Sequence, residues 1–278
     1  MKVAVYSREI SADRRAAFEQ LCGALREGGA EIVFCGPAFG GNGELPPDLQ
    51  LLLSLGGDGT FLDAVTFVRE RRIPVAGVNF GRLGFLTAAK VGEAGTGWVK
   101  DLLEGRYTVE MRDLLKISGS SVPEDLYPYA VNEITLHRQG ASMLQINLSV
   151  GGRPLPSYWA DGLVIATATG STAYSLSVGG PVVLPSSKVL IIAPIAPHNL
   201  NVRPLVVPDD SSFEMTFDSR DGGARMTLDN RSFGVRAGDS FGISKGEYGF
   251  SYAALSDDNF ISALKTKLFW GEDLRNSK

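Results

Sequence analysis

The sequence predicts an α/β domain followed by a β-rich domain, and three observations carry that prediction. Strand and helix signals alternate through the first third. From about Tyr107 the segments become short, β-branched or alternating, and are set off by Gly, Pro and Asp-Asn. A helical pattern then returns at the end. The length of 278 residues exceeds the roughly 100 to 200 typical of one domain, so two domains are expected.

In chain order, Val3-Ala4-Val5-Tyr6 is a short apolar run, and a helix is expected from about Asp13 to Glu27. Ala17, Leu21, Ala24 and Leu25 share one face of that helix, and Gly28-Gly29 stops it. Ile32-Val33-Phe34 and Leu49 to Leu55 read as buried strands, Thr60 to Arg71 as a helix and Pro74 to Val78 as a further strand. This is the βαβ logic of a parallel sheet. Val131 to Leu136, Gln145 to Val150, Met215 to Phe217 and Met226 to Leu228 are strands of the second domain. A last helix carries Phe260, Ile261, Leu264 and Leu268 on one side, behind a Ser256-Asp257-Asp258 capping cluster, and is expected to pack back on the first domain. The expected division is 1–108, joined by the helix 258–271, and 109–257.

Composition removes several classes of function. Hydrophobic residues make up 44% and charged residues 21%, which is enough apolar material for real cores and excludes disorder or coiled coil as the main class. With 27 basic and 31 acidic residues, a net charge of -4 and no block of five like charges, no basic stripe exists to neutralise a row of phosphates, so nucleic acid is not an expected partner. No apolar run reaches membrane-spanning length and MKVAVYSREI lacks a signal-peptide core, so a cytoplasmic address without membrane attachment is expected. Cys22 and Cys35 lack CxxC spacing, and His137 and His198 lie far apart, so neither a disulfide framework nor a zinc site is indicated.

The 33 glycines cluster in short signatures. Leu51-Leu52-Leu53-Ser54-Leu55 runs into Gly56-Gly57-Asp58-Gly59-Thr60 and then a helical pattern, which is strand, tight turn and helix start in one stretch. Such a turn brings backbone close to a ligand, and helix N-terminal N–H groups attract phosphate. A carboxylate there repels phosphate unless it binds Mg²⁺ or takes a proton from an attacking hydroxyl, so Asp58 points to phosphoryl transfer to an alcohol; an Asp that merely caps the helix is the competing reading. The spacing is neither GxxxxGK[ST] nor GxGxxG.

A second loop, Asp161 to Pro181, packs seven hydroxyl residues and four glycines into 21 positions after an apolar strand. Hydroxyls, backbone N–H groups and one aromatic suit a nucleoside. A serine nucleophile lacks both GxSxG and a histidine partner. Asn132 and Glu133 are adjacent in an alternating strand, so pattern alone sends them to opposite faces and favours a surface pair.

Together these segments resemble the NAD kinases. The likeness runs through Gly56-Gly57-Asp58-Gly59-Thr60, the stretch Gly77-Val78-Asn79-Phe80-Gly81-Arg82-Leu83-Gly84-Phe85-Leu86, Val131-Asn132-Glu133, Asp161 through Pro185, Ala196-Pro197-His198 with Arg203-Pro204, and the tail Leu264 to Gly271. The resemblance implies transfer of the γ-phosphoryl of ATP, or polyphosphate in some members, to the 2'-hydroxyl of the adenosine ribose of NAD, with Mg²⁺ neutralising the phosphates. It implies a Rossmann-like α/β N-terminal domain, a β-sandwich-like C-terminal domain, NAD between them, and a homodimer or homotetramer. Gly56, Gly57, Gly59 and Thr60 of the turn are the phosphate loop; by the likeness Asp58 is the proton acceptor and, with Gly59 beside it, also binds NAD, and Glu133 holds the ribose diol. Asn132 contacts the adenine, while Asp161, Thr172, Ala173, Tyr174, Ser175, Leu176 and Ser177 line the dinucleotide and Ala196 lies near a ring. A metal-ligand set is not implied.

Four positions depart from the family pattern. Ala168 stands where proline is usual, and Asp63 where many members are basic, so no phosphate contact at 63 is implied. Trp159 replaces an arginine of some strictly NAD-specific members, and Asp229-Asn230-Arg231 lacks a glutamine found in many. Two rival functions remain: a lipid or sugar kinase sharing the GGDGT turn, and a non-catalytic NAD(P)-binding sensor.

Overall fold

A computed structural model describes residues 1–41, 44–81, 84–87, 89–91, 97–255 and 260–271. The chain divides into two compact units, Met1–Met111 with Phe250–Lys278, and Arg112–Gly249.

The first unit is a mostly parallel sheet with helices on its faces. Its strands are β1 (Lys2–Tyr6), β2 (Glu31–Cys35), β3 (Leu51–Leu55), β4 (Val75–Asn79), β5 (Ala89–Lys90) and β6 (Tyr107–Arg112), together with Phe250–Leu255. The order is β2-β1-β3-β4, then Phe250–Leu255, then β6, with β5 paired to β4. Helix α1 (Arg15–Glu27) buries Leu21, Cys22 and Leu25. With Val99 and Leu102 of α3 (Gly97–Leu103), Leu21 and Leu25 pack on Val3, Val5, Leu51, Leu53 and Val78. Helix α2 (Asp58–Val68) covers other sheet residues through fully buried Phe61, whose ring lies 6.0 Å from Phe250 and 5.8 Å from Tyr252. It starts two residues before the expected Thr60 and gives way to a 3-10 turn at Arg69–Arg71.

One strand corrects the boundary expected at 257. Phe250–Leu255 is buried at every position and runs parallel to β4, with Tyr252 opposite Val75. A continuous apolar run is the mark of a parallel strand covered on both faces, whereas β-rich neighbours in sequence suggested the second domain. The Ser256-Asp257-Asp258 cluster lies outside the described residues, as do Arg82 and Leu83.

The second unit is two antiparallel sheets sharing one core. Its strands are β7 (Leu115–Ser118), β8 (Tyr129–Ala130), β9 (Glu133–Arg138), β10 (Leu144–Val150), β11 (Arg153–Pro154), β12 (Tyr158–Ala160), β13 (Gly162–Thr167), β14 (Val189–Ile195), β15 (Leu205–Pro208), β16 (Phe213–Ser219), β17 (Gly223–Leu228), β18 (Arg231–Arg236) and β19 (Ser240–Lys245). Phe250–Leu255 is therefore β20. One sheet has the order β11-β10-β16-β19-β7-β8, with β12 added to β10, and the other β15-β14-β13-β9-β17-β18. Alternate residues of the facing strands, among them Ile146, Phe217 and Phe241 against Ile134, Leu163 and Met226, make the core. Strand β13 is buried on both sides, because Val164 and Ala166 pack with Tyr174, Val178 and Val183 beyond the sandwich. The last helix, α5 (Phe260–Leu268), sets Phe260 6.0 Å from the Phe85 ring of the first unit.

Candidate functional site

In the first unit the chain leaves β3 through Gly56, whose φ of 153° favours glycine and where a Cβ would collide with the Thr60 side chain. Gly57 is the N-cap of α2 and Asp58 its first residue. Asp58 caps nothing in its own helix, for its carboxylate reaches a different loop. Phe85 N–H donates to Oδ2 at 2.8 Å, Leu86 N–H to Oδ1 at 3.1 Å and the Thr87 hydroxyl to Oδ1 at 3.2 Å. Thr87 Oγ1 in turn accepts the Gly84 N–H at 2.7 Å. A Cβ on Gly84 would overlap the Asp58 carboxylate, and one on Gly77 would overlap the Leu86 carbonyl. These glycines are where residues 84–87 close on β4 and on the turn that begins α2. A carboxylate offers roughly four acceptor positions, so three donors leave room for one more.

In the second unit the residues around β13 form two groups. The register sets Ala166 opposite Glu133 and Gly162 opposite His137. At the Ala166 end lie Asn132, Glu133 and the turn Thr169–Thr172 leading into the short helix α4 (Tyr174–Ser177). At the Gly162 end Asp161 donates its N–H to the Ile195 carbonyl at 2.9 Å, next to Ala196, and its carboxylate pairs with Arg138 at 2.7 Å. Ala196 is exposed with φ of 45°. Five residues of strand separate Asp161 from Ala166, or roughly 16 Å.

The Asn132-Glu133 pair escapes strict alternation because β8 ends at Ala130 and β9 begins only at Glu133. Between them the backbone wraps a buried carboxylate. Asp229 accepts N–H groups from Val131 at 2.8 Å, Asn132 at 2.8 Å and Glu133 at 3.3 Å. Thr167 donates its N–H to the Asn132 carbonyl at 2.9 Å and its hydroxyl to the Val131 carbonyl at 2.7 Å. A Cβ on Gly170 would overlap the Asn132 carbonyl. Within β9, Ile134 and Leu136 go to the core, while Glu133, Thr135 and His137 line a cavity of about 530 Å³ shared with Tyr174, Arg225 and Asp229.

Glu133 is chemically the least settled group of this unit. Burial pushes its carboxyl up to about 8, the neighbouring Asp229 adds to the rise, and a hydrogen bond from the Tyr174 backbone works against it. Its Oε2 is buried without a hydrogen-bond partner. Burial likewise raises Asp229, opposed by its three N–H donors and by Arg231. An unsatisfied carboxylate oxygen lining a cavity calls for a donor from a ligand.

Of the dinucleotide residues indicated by sequence, Glu133 and Tyr174 line this cavity. Ser175 is fully buried with an unpartnered Oγ, crowded by Gly180, whereas Thr172, Ala173, Tyr174 and Leu176 are half-buried and Ser177 exposed. Sequence reasoning passed over Thr87, Arg138 and Asp229 as site residues. The Leu228-Asp229-Asn230-Arg231 hairpin turn accounts for Asp229 as a turn former with φ of 52°, and nothing local signals its reach to residues 131–133.

A parallel sheet with a glycine-rich helix start bearing a carboxylate, and a sandwich whose cavity is lined by the Glu133 carboxylate and by Tyr174 of the hydroxyl-rich loop, fit a nucleotide-dependent phosphotransferase class. Residues 41–107 match the ATP-NAD kinase N-terminal domain and residues 131–255 the ATP-NAD kinase C-terminal domain. An NAD kinase of Flavobacterium psychrophilum is 42% identical over 241 residues, covering 86% of this chain and 82% of that protein. One of Bacteroides fragilis is 40% identical over 229 residues, covering 82% and 79%. Yeast NADH kinase, solved with NADH, shares the fold at a TM-score of 0.85 and 24% identity over 100% of this chain and 90% of that one. An Archaeoglobus fulgidus NAD kinase, solved with ATP, gives 0.74 at 26% identity over 93% and 95%. The chain belongs to the NAD kinase family. That membership disfavours both the sensor and the lipid or sugar kinase.

Proposed function

We propose that this chain transfers the γ-phosphoryl of ATP to the 2'-hydroxyl of the adenosine ribose of NAD, giving NADP and ADP, with Asp58 as proton acceptor. The observation that carries the reading is the Asp58 carboxylate, oriented by three donors at the head of α2 with one acceptor position to spare. The hydroxyl oxygen forms a bond to the γ-phosphorus as the bond to the β,γ-bridging oxygen breaks. ADP leaves with that electron pair and Asp58 takes the hydroxyl proton. Little covalent work is left to the protein, so positioning dominates.

Glu133 receives the ribose diol in this reading. Its unpartnered Oε2 supports the assignment, since two hydroxyl donors would satisfy it. Asn132 meets the adenine, Thr172 to Tyr174 wall the same end, and Asp161 with Ala196 meets the other end, a spacing of roughly 16 Å that suits an extended dinucleotide. Among the described residues no group of three His, Cys, Asp or Glu side chains could hold a metal ion. We assign Mg²⁺ to the phosphates of ATP, as is common for that ion. We place the chain in the cytoplasm, where free, buried Cys22 and Cys35 stay reduced. We also infer a homodimer or homotetramer. Support comes from edge strand β15, which exposes Leu205 at 41% and Val206 at 43%.

The test is purified chain with ATP, Mg²⁺ and either NAD or NADH, with the product scored by an NADP-specific dehydrogenase. NADP formed by the wild type and lost in Asp58→Asn is the expected result. Binding of NAD without any product from either cofactor would overturn the reading.

A further inference from the structure

The order β2-β1-β3-β4 places a topological switch point between β1 and β3, because the chain leaves β1 toward one side of the sheet and returns on the other. In open α/β sheets the ligand crevice lies outside the carboxyl ends of the strands at that point. Two segments meet there, Ser7-Arg8 after β1 and Gly56 to Gly59 after β3. Fully buried Ser7 ties them, its hydroxyl 3.0 Å from the Leu55 carbonyl and 3.0 Å from that of Glu9. Arg8 then lies along the first turn of α2. Its Nε pairs with Asp63, and its Nη1 sits 3.3 Å from where a Cβ on Gly59 would be. Residues 59 and 63 are four apart on one helix face, so the guanidinium spans from the ion pair to the glycine.

A cation is out of place at the positive end of a helix dipole unless an anion accompanies it. Asp63 supplies that anion in the free protein, and the glycine keeps side chains out of the space between guanidinium and loop. The Arg8 side chain is 45% exposed, so it can meet a ligand.

Resting on the reading above, we propose that Arg8 binds the phosphate chain of the donor nucleotide over Gly59, and that Asp63 positions it. A guanidinium presents a fork of N–H donors matched to phosphate oxygens.

The experiment compares Arg8→Ala, Arg8→Lys, Arg8→Asp and the double variant Arg8→Asp/Asp63→Arg in the full chain. It reads KM for ATP, KM for NAD, and the Kd of ADP by calorimetry. Loss of a charge-assisted hydrogen bond should raise the ATP KM and ADP Kd of Arg8→Ala by about ten- to a hundredfold, with KM for NAD unmoved. Arg8→Lys should fall between, and the double variant should recover most of what Arg8→Asp loses. An unchanged ATP KM and ADP Kd in a folded Arg8→Ala protein, or an equal rise in the KM for NAD, would overturn the proposal. ADP binding judges Arg8 even if the wild type forms no NADP, so failure of the functional reading and failure of this one give separate results.

Discussion

Asp58 and Glu133, the two carboxylates that chemistry singles out, are treated in opposite ways by their surroundings. Asp58 sits among donors, two backbone N–H groups and a hydroxyl, all from residues 85–87. Glu133 is walled in, one oxygen has no partner, and the neighbouring carboxylate of Asp229 adds to the rise that burial causes. A carboxylate surrounded by donors is oriented before any substrate arrives, which suits a group that must accept a proton along a fixed direction. A carboxylate whose charge is disfavoured gains most when ligand hydroxyls arrive, which suits recognition.

The largest test of this contrast is Asp58→Asn. Turnover should fall by about 10² to 10⁴, while NAD binding measured by calorimetry stays within a few-fold of wild type. The amide also sets an NH₂ against one of the N–H donors, so denaturant unfolding should show a loss of about 1 to 3 kcal/mol. Turnover near the wild-type value would remove the base from the account.

Asp229→Ala comes next, because it leaves three backbone N–H groups without their acceptor. Denaturant unfolding should show a loss of about 3 to 5 kcal/mol, the range for removing one partner of a buried charged group. Asp229→Asn is the sharper variant. It keeps one acceptor oxygen and removes the charge, so the Glu133 carboxyl, followed by NMR titration, should move down from about 8. No movement would mean that burial alone sets Glu133. A smaller loss is expected from Gly170→Ala, whose Cβ meets the Asn132 carbonyl, with overpacking of about 1 to 3 kcal/mol and a raised KM for NAD. A thermal melt matching wild type would show that the 131–133 bend has slack.

The pH test is the smallest. Glu133 binds its proton more tightly in the folded chain, about 8 against 4.5, so its effect on stability is absent below pH 4.5 and increasingly unfavourable as pH rises toward 8. Glu133→Gln should flatten that part of the stability profile. If the diol is held by the charged form, KM for NAD in the wild type should fall as pH rises from 6 to about 8, and the glutamine variant should show no such fall. A wild-type KM for NAD independent of pH over that interval would count against the charged form.

Much of the fold was legible because it is written in local pattern. The helix from Asp13 to Glu27, the strand before Gly56 and the alternation of β10 follow from period and stop signals. Two things were not. Strand β20 lies next to β4 in the sheet but about 170 residues away in sequence, so no window could assign it to the first unit. The Asn132-Glu133 pair was read as a surface pair on alternation, since the break between β8 and β9 is made by Asp229, nearly a hundred positions on.

The sequence by itself determined the element types, the glycine positions and the identity of the carboxylates, because propensity, periodicity and steric freedom are properties of neighbouring residues. Tertiary structure decided what each carboxylate faces. It gave Asp58 the donors of residues 85–87, gave Glu133 a buried neighbour of like charge, and laid Arg8 across the first turn of α2. Burial, hydrogen bonding and charge act through space at a few ångströms, and only the folded chain sets those distances.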